Sequence, residues 1–119
     1  MQERGPYFMM TVGELRAELK AGKDLWLMDI RDRAVFRRDH IPGSHNIPRA
    51  EFADRKDSIP RDKTILVICD SGLHAGQVAG MLGSMGLRAG VLIGGMKSWK
   101  KSFASHRICF ILKEKAKKG

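Results

Sequence analysis

Thr64-Ile65-Leu66-Val67-Ile68-Cys69-Asp70-Ser71-Gly72-Leu73-His74-Ala75 is the stretch that decides the architecture of this 119-residue chain. Of its first five residues four are β-branched and the last four are continuously apolar, the pattern of a strand covered on both faces and central in a parallel sheet. Ser71 and Gly72 allow a tight connection. From His74 to Met85, the positions Val78, Met81, Leu82 and Met85 mark one helical face, and Gly86 ends it. Cys69 thus stands at the C-terminal end of the strongest strand, immediately before a helix, where sheets of this kind collect functional groups.

Upstream, Thr11-Val12-Gly13-Glu14 reads as a capping box that opens a helix with Val12, Leu15 and Leu19 on one side and Gly22 at its end. Leu25-Trp26-Leu27-Met28 is a second buried strand, with Asp29 and Arg31 at its exit. Ala34 to Asp39 is expected to form one or two helical turns. Ile41-Pro42-Gly43-Ser44 forms a turn, and Asn46-Ile47-Pro48 an extended segment. Glu51 to Asp57 reads as a helical turn or loop and Arg61-Asp62-Lys63 as a further turn. Downstream, Val91-Leu92-Ile93 is a short strand, followed by Gly94-Gly95 and a helix over Met96 to Lys101. Strands alternating with short helices imply an α/β fold, a parallel sheet with helices on both faces.

The length suits one domain able to bury its own core, and 43% apolar with 29% charged residues is a globular balance. The start Met1-Gln2-Glu3-Arg4-Gly5-Pro6 has no signal-peptide core, and no run approaches the roughly 20 apolar residues that span a bilayer, so a cytoplasmic protein is expected. Cys69 and Cys109 have neither CxxC nor Cys/His spacing, which argues against a metal site or other cofactor, and a reducing compartment argues against a disulfide. Of the formal charge of +9, residues 97–119 contribute +7, from eight Lys/Arg against one Glu. A nearly neutral body with a basic tail is not the footprint of a nucleic-acid binder, which more often places its basic groups on one face of the fold with aromatics between them.

Cys69 itself admits two readings. It is a buried strand-end cysteine of the ordinary kind, or it is a reactive thiol. For the second, backbone amides of the Ser71-Gly72 loop and the positive end of the following helix converge on its sulfur and favour thiolate and anionic species.

The segments in order resemble a single-domain rhodanese, of the sulfurtransferase family. Asp29-Ile30-Arg31, Phe36 and His40-Ile41-Pro42-Gly43-Ser44-His45-Asn46-Ile47-Pro48 are similar to the family's D-x-R, aromatic and GHIPGAxNIP stretch. Ile65 to Ala75 resembles its strand and C-x-S-G-x-[RT]-[SA] loop, and Gly94-Gly95-Met96 to Trp99 its closing GG-x-x-x-W segment. The resemblance implies a three-layer fold with a small sheet of about five strands over residues 1–101, and a basic tail over 102–119. It also implies that Cys69 accepts a sulfane sulfur as a persulfide and passes it to a thiophilic acceptor, with Asp70, Ser71, Gly72, Leu73, His74 and Ala75 forming the active-site loop. Asp29 would brace that loop, Arg31 would join an adjoining charged network, and His40 would be a hydrogen-bonding structural residue.

The loop departs from the family pattern in its charge. It carries Asp70 where thiosulfate enzymes often carry Arg or Lys, and a carboxylate beside the sulfur repels a dianion. Poor thiosulfate turnover is therefore expected, with a less anionic small donor or a persulfidated protein as donor and a thiol as acceptor. Ser71-Gly72 and Ala75 look more like the mercaptopyruvate sulfurtransferase loop, with His74 in place of its threonine. His74 either supplies charge or a proton near neutral pH, or occupies the first helical turn in solvent. Val35, where many members have Glu or Arg, removes one charged contact. A C-x5-R phosphatase loop is disfavoured because the position that must grip phosphate is Ala75.

Beyond Trp99, the apolar run Ile108 to Leu112 and the lysines after it read as a docked stretch with a solvated end. It could alternatively touch a protein or an anionic surface, and Cys109 is expected to be inert. The competing function is a noncatalytic rhodanese-like module that binds or regulates proteins. Such modules often lack the cysteine that this chain retains. A thiol redox protein would need the missing CxxC.

Overall fold

The computed structural model describes residues 7–102. The expectations for the tail beyond Ser102, including the 108–112 run and Cys109, lie outside the described residues.

Five strands, β1 (Phe8–Met10), β2 (Leu25–Asp29), β3 (His45–Asn46), β4 (Thr64–Ile68) and β5 (Ala89–Leu92), form one sheet in the order β1-β5-β4-β2-β3. Every pairing is parallel, and β4 is central. Between the strands run α1 (Val12–Lys20), α2 (Arg33–Arg38), α3 (Phe52–Arg55) and α4 (Ala75–Ser84); α5 covers residues 95–102. The expected α/β architecture is present, and side-chain alternation along β4 explains it. Ile65 and Val67 pack with Phe52 of α3 and with Val78, Ala79 and Leu82 of α4. Leu66 and Ile68 face the other way, onto Val12 and Leu15 of α1 and Met96 and Trp99 of α5. Continuous hydrophobicity thus marks a strand with a helical layer on each side.

The local signals act as read, with small shifts. Thr11 caps α1: its hydroxyl accepts from the Glu14 N–H at 3.0 Å, while Glu14 Oε1 accepts from the Thr11 N–H at 2.8 Å. Thr11→Ala is expected to cost about 1 kcal/mol, read as a lower denaturation midpoint at unchanged m. The sheet gains an edge strand that the reading above lacks. β1 is three residues long and has no period of its own; it forms because Phe8 lies against Gly90, where an added Cβ would meet the ring at 2.2 Å. β5 begins two residues earlier than Val91, where Ala89 pairs with Ile65 of β4. Among the described residues no helix is long and apolar enough to cross a membrane.

Candidate active site

β4 delivers Cys69 to the C-terminal rim of the sheet as a free thiol that is only 4% exposed. The chain then turns so that the Gly72 N–H donates to Cys69 Sγ at 2.8 Å. Gly72 has a φ of +93°, which glycine adopts without strain, and its bare Cα lies against the backbone of Gly94 and Leu92. The other side of the loop is fixed by the start of α5. The Met96 N–H donates to the Cys69 carbonyl at 2.8 Å and the Lys97 N–H to the Asp70 carbonyl at 3.0 Å. Amides left without partners in a first helical turn thereby hold the cysteine loop, which accounts for the Gly94-Gly95-Met96 segment.

Beside the loop, the chain leaving β2 is tied to the end of β4 by the Ile30 N–H donating to the Ile68 carbonyl at 2.9 Å. Asp29 is fully buried and accepts from Arg31 four times: from its backbone N–H, twice from Nε, and from NH2 at 2.8 Å. Arg31 also donates to the Asp39 carbonyl at 2.6 Å and to Oδ1 at 3.3 Å. Burial opposes the Arg31 charge, yet the hydrogen bonds and charges of Asp29 and Asp39 outweigh it and hold its pKa above the ordinary value. A hydrogen bond from Lys100, at 2.9 Å, is the main cause holding the Asp39 carboxyl below its usual range, with Arg31 adding to it. Asn46 donates to the Asp29 and Arg31 carbonyls at 3.0 and 2.9 Å and so closes the turn.

These elements enclose a cleft of about 470 Å³ with Cys69, Asp70 and His74 on one side and Ile30, Arg31 and Asp32 on another. Val35, read above as a lost charged contact, does line it, and so does Arg38, one helical turn further along α2. Arg49 and Lys100 complete the wall. The loop's own charge is therefore not the charge of the cleft, since Arg38, Arg49 and Lys100 come from distant elements. Asp70 in turn lies 4.0 Å from Lys97.

The predicted residues part company here. Gly72 holds the sulfur, whereas Ser71 and Leu73 face solvent, Leu73 at 77% exposure. Ala75 is buried in the core under α4. His74 is not a free solvent ring: Arg49 NH1 donates to its Nδ1 at 2.7 Å. His40 stands apart from the cleft, stacked on Phe36 at 3.9 Å with Nδ1 against the Phe36 carbonyl. The reading missed Arg38, Arg49 and Lys100. Arg49 directly follows Asn46-Ile47-Pro48, and the only signal for it was that this extended segment returns to the sheet beside β2.

The family model for the rhodanese-like domain matches residues 11–102. The chain belongs to that family. This rhodanese-like domain is 36% identical over 67 residues to the tRNA sulfurtransferase of Thermoplasma acidophilum, a match covering 56% of this chain but only 13% of that protein. It is 29% identical over 84 residues to the thiosulfate sulfurtransferase GlpE of Coxiella burnetii, covering 70% of this chain and 78% of that one. Among solved structures, a rhodanese-related protein from Thermoplasma volcanium matches with a TM-score of 0.75 at 27% identity, covering 81% of this chain and 93% of that one. The five-strand parallel sheet and its two helical layers are thus those of the family.

Proposed function

We propose that this rhodanese-like domain is a sulfurtransferase that carries a sulfane sulfur as a persulfide on Cys69. In the first displacement, Cys69 Sγ attacks the transferable sulfur of a donor. An Sγ–S bond forms, the bond from that sulfur to the rest of the donor breaks, and the leaving group takes the electron pair. In the second, a thiol or other thiophilic acceptor attacks the outer sulfur and the Cys69 thiolate leaves. The sulfur changes hands with no net oxidation. A cytoplasmic setting keeps the thiol reduced for this chemistry.

The observation that carries the reading is the Gly72 N–H aimed at Cys69 Sγ from 2.8 Å in a loop that opens on the cleft. A fixed donor on Sγ favours the thiolate that attacks in the first displacement and stabilises the charge that returns to Sγ when the thiolate leaves in the second, without reorganisation. A noncatalytic binding module gives no reason for a sulfur at that point.

The test is to incubate the protein with thiosulfate, mercaptopyruvate or glutathione persulfide, record its intact mass, and follow cyanolysis. Addition of one sulfur atom, released by cyanide and absent in Cys69→Ser, is expected. If none of these donors, nor a persulfidated protein, loads Cys69, the proposal fails.

A further inference from the structure

We infer that Arg49 is the residue of this cleft that recognises an oxyanion group on the sulfur donor; that the ligand is a sulfur donor rests on the sulfur-transfer reading above. Pro48 and the Arg49 N–H, which donates to the Ile30 carbonyl at 3.0 Å, fix this residue's backbone beside the cleft. Its side chain is held from the opposite wall, where NH1 donates to His74 Nδ1 at 2.7 Å and to Gln77 Oε1 at 3.5 Å. Both partners are uncharged when His74 is neutral, so they orient the guanidinium without neutralising it. Its Nε and NH2 make no hydrogen bond among the described residues.

The other cleft cations are differently placed. Arg31 is committed to Asp29 and Asp39, and Lys100 to Asp39. Arg38 and Arg49 alone among the cleft's described cations lack a carboxylate within ion-pair distance. Against them stand Asp32 and Asp70, both exposed, the latter 4.0 Å from Lys97. A rigid, permanently charged fork can pair with two oxygens of a carboxylate or sulfonate, and one wall that positions it beside a reactive sulfur selects for them. The repulsion expected from Asp70 is thereby overcome by groups outside the loop.

The experiment compares alkylation of Cys69 by iodoacetate, an anion, and iodoacetamide, its neutral analogue, at low ionic strength. Arg49→Met is expected to lower the iodoacetate-to-iodoacetamide rate ratio about fivefold or more, and Arg49→Lys to keep it within about twofold. Lys20→Met, on the exposed last turn of α1, is expected to leave it unchanged. Thiosulfate loading falls in parallel in Arg49→Met, while loading by N-acetylcysteamine persulfide, which bears no sulfonate or carboxylate, falls less. An unchanged ratio, or an equal fall with both reagents, overturns the assignment of Arg49. Failure of every donor to load the wild type overturns sulfur transfer and the donor class with it, and the alkylation ratio then still decides whether Arg49 reads charge.

Discussion

Gly95→Ala is expected to lower stability by about 3 kcal/mol or more and to disorganise the cysteine loop, whereas Gly22→Ala costs about 1 kcal/mol. Both glycines have positive φ, +55° and +75°, so backbone strain alone predicts similar effects. Their surroundings differ. A Cβ on Gly22 meets nothing within 4 Å, but on Gly95 it would lie 2.3 Å from the Cys69 carbonyl oxygen and 2.8 Å from the carbonyl carbon and oxygen of Asp70. These are backbone atoms that cannot rotate away, and the same carbonyls accept from Met96 and Lys97. Relief of the clash must break the bonds that seat the loop, moving Gly72 and its donor to Cys69 Sγ. Thermal melts should show a fall of roughly 10–20 °C for Gly95→Ala, and iodoacetamide should reach Cys69 faster as its 4% exposure rises. Equal melting points for the two variants would refute the argument.

The same comparison explains what could be read in the chain beforehand. β4 and α4 are legible because a strand and a helix that each bury one side or both must repeat their apolar residues at the matching period. Thr64-Ile68 do so, and on α4 Val78 and Leu82 are buried as read, whereas Met81 is exposed and Ala75 and Ala79 complete the buried side. Cys69 is legible because its place at a strand end follows from those two elements. β1 is not, since three residues carry no period and its partner is a bare glycine on β5. The cleft's cations are hidden for another reason. Arg38, Arg49 and Lys100 belong to three separate elements and meet only once the sheet order β1-β5-β4-β2-β3 brings the ends of β2 and β4 together. A charge count along the Cys69 loop sees Asp70 and nothing of Arg49. The family motifs supplied Asp29 and Arg31 as a pair, for which a buried or half-buried ion pair is the common role, and the structure adds how complete the burial is.

That burial leads to the other large effect. Asp29→Asn is expected to destabilise the domain by about 3–5 kcal/mol, because it leaves Arg31 charged and buried with its main counter-ion removed. The side chains of Asp29 and Arg31 are 0% and 4% exposed, so water cannot replace the lost partner. Asp39 cannot replace it either, since its carboxylate already meets Lys100 at 2.9 Å and is itself half exposed. For a domain of typical stability this is a large share of the total, measurable by urea unfolding. Asp29→Leu combined with Arg31→Met removes both charges and is expected to recover most of the loss, since apolar replacement of a complete buried pair is often neutral or better. The double variant also separates two roles. If the pair only braces the turn between β2 and β4, the recovered protein alkylates Cys69 at the wild-type rate. A stable double variant with an altered iodoacetate-to-iodoacetamide ratio would show instead that Arg31 contributes to the field of the cleft despite its counter-ions. If the double variant is no more stable than Asp29→Asn, an unpaired buried charge is not what the single substitution creates.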